Sequence, residues 1–399
     1  MKKGLIVSII VGSLMATSLI GSDLVVNPNK GAELKFTWKK SWGGNKRDKA
    51  MAVTEMSDGN MAIAGYSRSF GKGRNDATVV CVSPRGRTLW YQSFGGKRID
   101  EANAITSTTD GNLVIAGVSE SFSKDHDKDF YIVKLKENGD FLWDKTVGGK
   151  DSDVAHGVAP TKDGGVVVVG TTESYGNGNK NLLVVRIGKN GEGIWRKVFG
   201  GKEDDVAKAV VATKDGGFVV VGGSQSFGTD ESYNIYMIKI DANGKQVWAK
   251  SYGEDKPDIA RAITASGDGG FVVAGSTESF GSKHKDLNVM RIDANGNTIW
   301  HKIYGFKSKE YANGVAMTPE GGVVVVGTTK SMGHGEYDFY VLELNKKGSM
   351  IWSNVYGGSD KDIAQDVIFT SRGTFMIVGE TESFGSGDFD FYMLELKKR

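Results

Sequence analysis

Seven residues at intervals of 52 or 53 positions hold the most distinctive chemistry in this chain: Met51, Asn103, His156, Lys208, Arg261, Asn313 and Gln365. Small residues flank them, as in Ala207-Lys208-Ala209 and Ala260-Arg261-Ala262. Six of the seven are polar, and neighbours in the series differ. His156, Lys208 and Arg261 are consecutive in it, and all are potential cations. If the fold brings the series together, these three form a basic arc for a carboxylate, phosphate or sulfate. The amides of Asn103, Asn313 and Gln365 would orient the rest of a ligand. The competing reading is a solvated polar lining whose members hydrogen-bond to one another or pair with nearby acids.

Other residue types suggest chemistry less specifically. One acidic series runs Asp48, Asp100, Asp153, Asp205, Asp258, Glu310, Asp362. A ring of carboxylates could bind cations, but an acid in every copy answers a need of every copy. Acceptance of backbone hydrogen bonds in a loop is therefore expected. A second series, Asp76, Asp129, Asn181, Asn234, Asp286, Asp338, Asp390, takes Asn twice, so it reads as turn capping. Asp125-His126-Asp127-Lys128-Asp129 has the alternating carboxylates that begin a calcium loop but lacks the glycine and distal glutamate, and a solvated loop is expected. His284, His301 and His334 share no metal spacing, and neither G-x-S-x-G nor H-E-x-x-H occurs. No catalytic residue, metal site or cofactor is assigned. Cys81 is the lone cysteine, inside an apolar run, and reads as an inert buried thiol.

The elements that would position these residues follow from a repeat. Trp38, Trp90, Trp143, Trp195, Trp248, Trp300 and Trp352 are spaced by 52, 53, 52, 53, 52 and 52. Each copy predicts four strands. After Trp195 these are Ala207 to Thr213, a tight turn at Asp215-Gly216, Phe218 to Val221, a loop from Ser224 to Ser232, Asn234 to Ile240, a turn at Asn243-Gly244, and Gln246 to Tyr252. The tryptophans read as core packing between copies. Fifty-six glycines against five prolines suit many tight turns and short strands, not a disordered chain. The last copy lacks a fourth strand, and Glu33 to Trp38 is a fourth strand without a third. The expected fold is all-β: a seven-bladed β-propeller of four antiparallel strands per blade, residues 33–399, its last blade completed by residues 33–44.

The pattern G-G-x-x-x-D-x-A, D-G-G-F-V-V-V-G, S-F-G-x-G-x-x-D-F, N-G-x-x-x-W resembles the repeats of secreted bacterial seven-bladed propellers over the whole mature chain. In strand order and closure it also resembles WD-repeat and kelch propellers, although the WD dipeptide is absent and a double glycine after the second strand occurs only at Gly222-Gly223. The N-G-x-x-x-W segment is similar to the tryptophan motif of quinoprotein propellers. The resemblance implies a fold and not one activity.

Residues 1–22 have the form of a signal peptide: Lys2 and Lys3, an apolar stretch from Leu5 to Ile20, then Gly21, Ser22 and Asp23. An uncleaved membrane anchor is the alternative, and no cysteine follows that would accept a lipid. Residues 23–32 read as a linker. Loss of Lys2 and Lys3 leaves 48 basic against 48 acidic residues, a balance poorly suited to nucleic acid or membrane surfaces. The leading expectation is a non-enzymatic binding or interaction scaffold in the periplasm, outside the cell or at its surface. It would be a monomer holding a protein partner, or a small anionic or glycan ligand, on the loop face at the central funnel. A funnel-site enzyme, such as a quinoprotein-like oxidoreductase or a polysaccharide lyase, is the second reading. Against it, no repeat differs from the others by more than one residue, and a vicinal cysteine pair is missing. A structural adhesion protein is the third; it would carry appended domains, whereas the sequence stops on its last blade.

Overall fold

The computed structural model describes residues 23–24, 34–228 and 231–398, with only the backbone at 23, 24 and 34. The expected leader at 1–22, most of the 23–32 linker and the end residues 33 and 399 lie outside the described residues. The chain forms seven four-stranded antiparallel blades, each meandering outward from an innermost strand. We number the blades 1 to 7 by those strands: Asp48–Glu55, Asp100–Ser107, Asp153–Pro160, Asp205–Ala212, Asp258–Ala265, Glu310–Met317 and Asp362–Phe369. Leu34–Trp42 pairs antiparallel with Asp390–Lys398 and supplies the outer strand of blade 7. The ring is thus closed by its own N-terminal strand, as the sequence predicts. Asp23 and Leu24 pair in parallel with Lys302 and Ile303 on the outer edge of blade 5.

In blade 4 the third and fourth strands fall where the sequence puts them, at Asn234–Ile240 and Gln246–Tyr252. The first two run longer, as Asp205–Ala212 and Phe218–Ser224, because the acid that opens the blade is already a ladder residue opposite Ser224. The middle two strands of each blade are buried almost throughout, since blades cover them on both sides. No single core results. The buried side chains divide into seven clusters among the described residues, each drawing on two adjacent blades. Ala64, Val79 and Cys81 of blade 1, for example, pack with Ile115 and Val133 of blade 2. Cys81 is fully buried, and burial pushes its thiol up to about 12, so it stays protonated and unreactive.

The tryptophans sit at the outer margin of the inter-blade cores. They lie on the outermost strands and are half-buried, except Trp352, which is 5% exposed. Six of them pack against an inter-blade cluster and also clamp the rim of the next blade. Trp248 Nε1 donates to Ala294 O at 3.2 Å, and its ring lies against Gly296 in the hairpin of the following blade. Blade 7 takes its fourth strand from Leu34–Trp42 and so has no such hairpin to offer. Trp352 turns inward instead and donates to Glu343 of its own blade.

Both acidic series hold loops. Every member of the first accepts a backbone N–H from the residue four before it, at 2.6–3.2 Å; the donors include Gly44, Gly96, Gly149 and Gly201. Six of them also accept from a serine in the loop between their own second and third strands, such as Ser279 to Asp258 at 2.7 Å. These carboxylates stitch one blade to the next on the loop face. In the second series Asp76 accepts from Lys72 N and Gly73 N, the turn-capping role expected of it.

Candidate functional site

The seven-membered series does converge. Met51, Asn103, His156, Lys208, Arg261, Asn313 and Gln365 line one axial cavity of about 400 Å³. A backbone irregularity places them there. In every innermost strand the ladder to the second strand skips the series residue: Ala155 faces Gly170 and Gly157 faces Val169, with His156 left out. The same skip occurs in the other six blades. Each residue is therefore the extra one of a β-bulge, which bends the strand and turns its side chain to the axis. The bulge presses its backbone onto the second strand, and only glycine fits opposite. A Cβ on Gly170 would lie 2.0 Å from Val154 O, and Gly65, Gly117, Gly222, Gly275, Gly327 and Gly379 stand in the same relation to their neighbours.

Most of these side chains reach sideways to the adjoining blade. Asn103 donates to Ala155 O at 2.9 Å and Asn313 to Ala364 O at 2.8 Å. Gln365 instead bonds Glu380 of its own blade at 3.3 Å, and Glu380 pairs with Lys49 of blade 1. These amides are part of the ring's stitching. Lys208 Nζ lies 3.2 Å from His156 Nε2. The ammonium donates to the ring nitrogen, which leaves the proton of a neutral imidazole on Nδ1. Arg261 sits 5.6 Å from the centre of the Tyr311 ring. Neither Lys208 nor Arg261 has a carboxylate partner among the described residues.

The surroundings weaken all three cations. Arg261 is open to channel water, and His156 and Lys208 are half-buried, yet all stand inside a ring of protein atoms that keeps bulk water away. Loss of hydration, then the Lys208 charge, push His156 down to about 3. Loss of hydration, then Arg261 and Lys180, bring Lys208 down to about 8. Arg261 is also lowered by loss of hydration. The basic arc is therefore two cations and a neutral imidazole near neutral pH, not three cations. With His156 neutral, Lys208 rather than His156 sets the pH range over which the arc is charged.

Asp366 escaped the sequence reading. It lines the same cavity, one residue beyond Gln365, where the other copies carry Ala52, Ala104, Gly157, Ala209, Ala262 and Gly314. One acid in a column otherwise made of Ala and Gly was the signal. Loss of hydration raises it to about 6, although it accepts from Val53 N at 3.0 Å and Val367 N at 2.8 Å. The remaining cavity wall is aliphatic, formed by Ile105, Val158, Val210, Ile263 and Val315, two residues further along each strand.

Among the described residues no three His, Cys, Asp or Glu come together as metal ligands, the Asp125–Asp129 loop included. His301 is buried against Asn288 and held down to about 4 by burial, a structural role.

The fold and its axial cavity define a seven-bladed β-propeller of uniform blades. The family model described as outer membrane protein assembly factor BamB matches residues 75–378, and the chain belongs to that family. No curated protein matches it in sequence. Similar solved structures include the Pan2 WD40 domain of Neurospora crassa, 11% identical with a TM-score of 0.53, covering 90% of this chain and 95% of that one. A fungal alcohol oxidase of the AA5 family, in complex with copper, is 12% identical with a TM-score of 0.55, covering 90% and 76%. Sqt1 of Chaetomium thermophilum is 12% identical with a TM-score of 0.51, covering 87% and 82%. At these identities the likeness is one of fold alone.

Proposed function

We propose that this chain is an exported, non-enzymatic scaffold of the cell envelope that docks an acidic surface of a partner protein on its loop face. The observation that carries the reading is a sector of unpaired positive charge. Lys46, Arg68, Lys72, Arg74, Lys97 and Arg98 are all exposed and lie in three loops on one face of blades 1 and 2. The loops touch: Arg74 N donates to Arg98 O at 3.1 Å and Arg68 N to Arg47 O at 3.0 Å. None of the six side-chain cations pairs with a carboxylate among the described residues; Arg68 Nε bonds only the amide of Asn75, at 2.7 Å. Nearly all of the corresponding loops of the other blades carry at least one acid, as in Lys202-Glu203-Asp204; the loop with Lys307 and Lys309 before blade 6 is basic but stands alone. In a mature chain of balanced charge, such a sector steers one orientation of encounter. Membership of a family named for outer membrane protein assembly and the leader-like Met1–Ser22 support an envelope partner.

The test is site-specific photo-crosslinking in cells, with the probe at Arg74 or, on the opposite face, at Lys162. The reading expects an acidic envelope protein crosslinked from position 74 and lost when Arg68, Lys72 and Arg98 become Glu. Crosslinks of equal yield in the charge-reversed protein, or only from position 162, overturn it.

A further inference from the structure

We infer that the axial cavity is a binding site for a small organic carboxylate with an apolar body, its carboxylate held by Lys208 and Arg261. The site is separate from the loop-face surface. Three observations lead to it.

The first is an imbalance of charge. Lys208 and Arg261 stand on adjacent blades at the same bulge position, and neither meets a carboxylate among the described residues. A half-buried cation such as Lys208 is costly without a counter-ion, and on four blades the chain avoids that cost. Lys134, Arg186, Lys239 and Arg291, one on each of blades 2 to 5, all pair with an aspartate at about 2.7–2.8 Å. The one acid lining the cavity, Asp366, is on blade 7, three blades from Lys208 and two from Arg261, and its oxygens accept from the backbone N–H groups of Val53 and Val367. An incoming anion would supply what the cavity lacks.

The second is the donor set. An ammonium and a guanidinium side by side offer converging charged donors to the two oxygens of a carboxylate. His156 is already the acceptor of the Lys208 bond, which fixes the ammonium and leaves Nδ1–H as a further donor. Donors held in place before the ligand arrives lose little freedom when it binds.

The third is the wall. Ile105, Val158, Val210, Ile263 and Val315 form an aliphatic belt beside the polar one. That belt suits the hydrocarbon part of a ligand and offers nothing to the remaining oxygens of phosphate or sulfate. A carboxylate with an apolar body fits both halves; a fully hydrated inorganic anion fits one.

Isothermal titration of the full mature chain with hexanoate, hexanamide, acetate and inorganic phosphate tests this. Hexanoate is expected to bind at least tenfold more tightly than the other three. Changing Lys208 and Arg261 together to Met should weaken hexanoate at least tenfold while the melting temperature holds. If that variant does not fold, Lys208→Gln alone is compared instead, with the same expectation. Titration of the wild type over pH 6–10 gives a second reading. The titratable and charged groups facing Lys208 are His156, Arg261, Lys180 and, on blade 7, Asp366; burial brings Lys208 down to about 8, while His156 and Asp366 titrate well below that. Affinity should therefore fall above pH 8. No hexanoate binding, equal binding by the variant, phosphate as tight as hexanoate, or affinity flat to pH 10 would each overturn the inference.

Discussion

Asp366 shows how a single departing residue acquires properties that its six counterparts cannot have. Its folded-state pKa is raised from 3.8 to about 6 by loss of hydration. Between those values the folded protein binds more protons than the unfolded chain, so the ionised carboxylate reduces stability as pH rises through that window. Asp366→Asn removes the titration and keeps an oxygen for Val53 N–H. From pH 4 to pH 7 the stability of the variant relative to wild type should climb by roughly 1–3 kcal/mol. Denaturant unfolding at both pH values measures it, and a difference that does not change with pH would show that water reaches Asp366 freely. Much of the cavity was legible in the sequence, because seven internal copies expose which column varies. Asp366 was passed over because its column reads as small spacers, and a rule that holds six times hides its exception. The neutrality of His156 was not legible at all. It depends on how much water the ring admits, and no spacing encodes that.

At the level of the strand, the cavity is built by bulges and the glycines that receive them. Strict alternation along Ala155-His156-Gly157 predicts that His156 faces away from both neighbours, and it gives no hint that the ladder skips a residue. The glycine that recurs two residues before the end of each second strand did show in the sequence. Its reason appears only when the carbonyl of Val154 is seen against Gly170. Gly170→Ala should therefore cost about 3 kcal/mol, because the new methyl group meets backbone atoms on a strand pinned at both ends. Chemical denaturation reads this directly. A loss below about 0.5 kcal/mol, the range of an ordinary surface substitution, would mean that the bulge relaxes without consequence. The tryptophans teach the converse. Their spacing revealed the repeat, but spacing alone could not show that six of them, while packing against the core, also clamp the rim of the next blade.

Across the whole molecule, stability is distributed over seven similar interfaces, and each blade depends on two neighbours. Blade 7 is the exception, since its outer strand comes from the other end of the chain. Removing residues 34–44 would strip that strand and also Gly44, whose N–H bonds Asp48 at 2.8 Å. Asp390–Lys398 would become an unpaired edge, and blades 7 and 1 would lose the aromatic contacts of Trp42 with Phe391, Phe70 and Tyr91. The truncated protein is expected to associate edge to edge and to elute from a sizing column as oligomers. A soluble monomer that melts with the full chain would mean that the closing strand adds little. This closure was readable from the matched deficits at the two ends of the repeat series.

The same closure sets an order of events in time. Leu34–Trp42 is made before the seven innermost strands, and its partner, Asp390–Lys398, is made after all of them. Until then the earliest segment of the ring has nowhere to dock, and two bare strand edges wait for each other. Bringing together segments so distant along the chain is slow compared with folding a local hairpin. A polypeptide delivered through a membrane N-terminus first would thus complete its ring only after its tail has crossed, and until that moment its oldest residues would be its least protected.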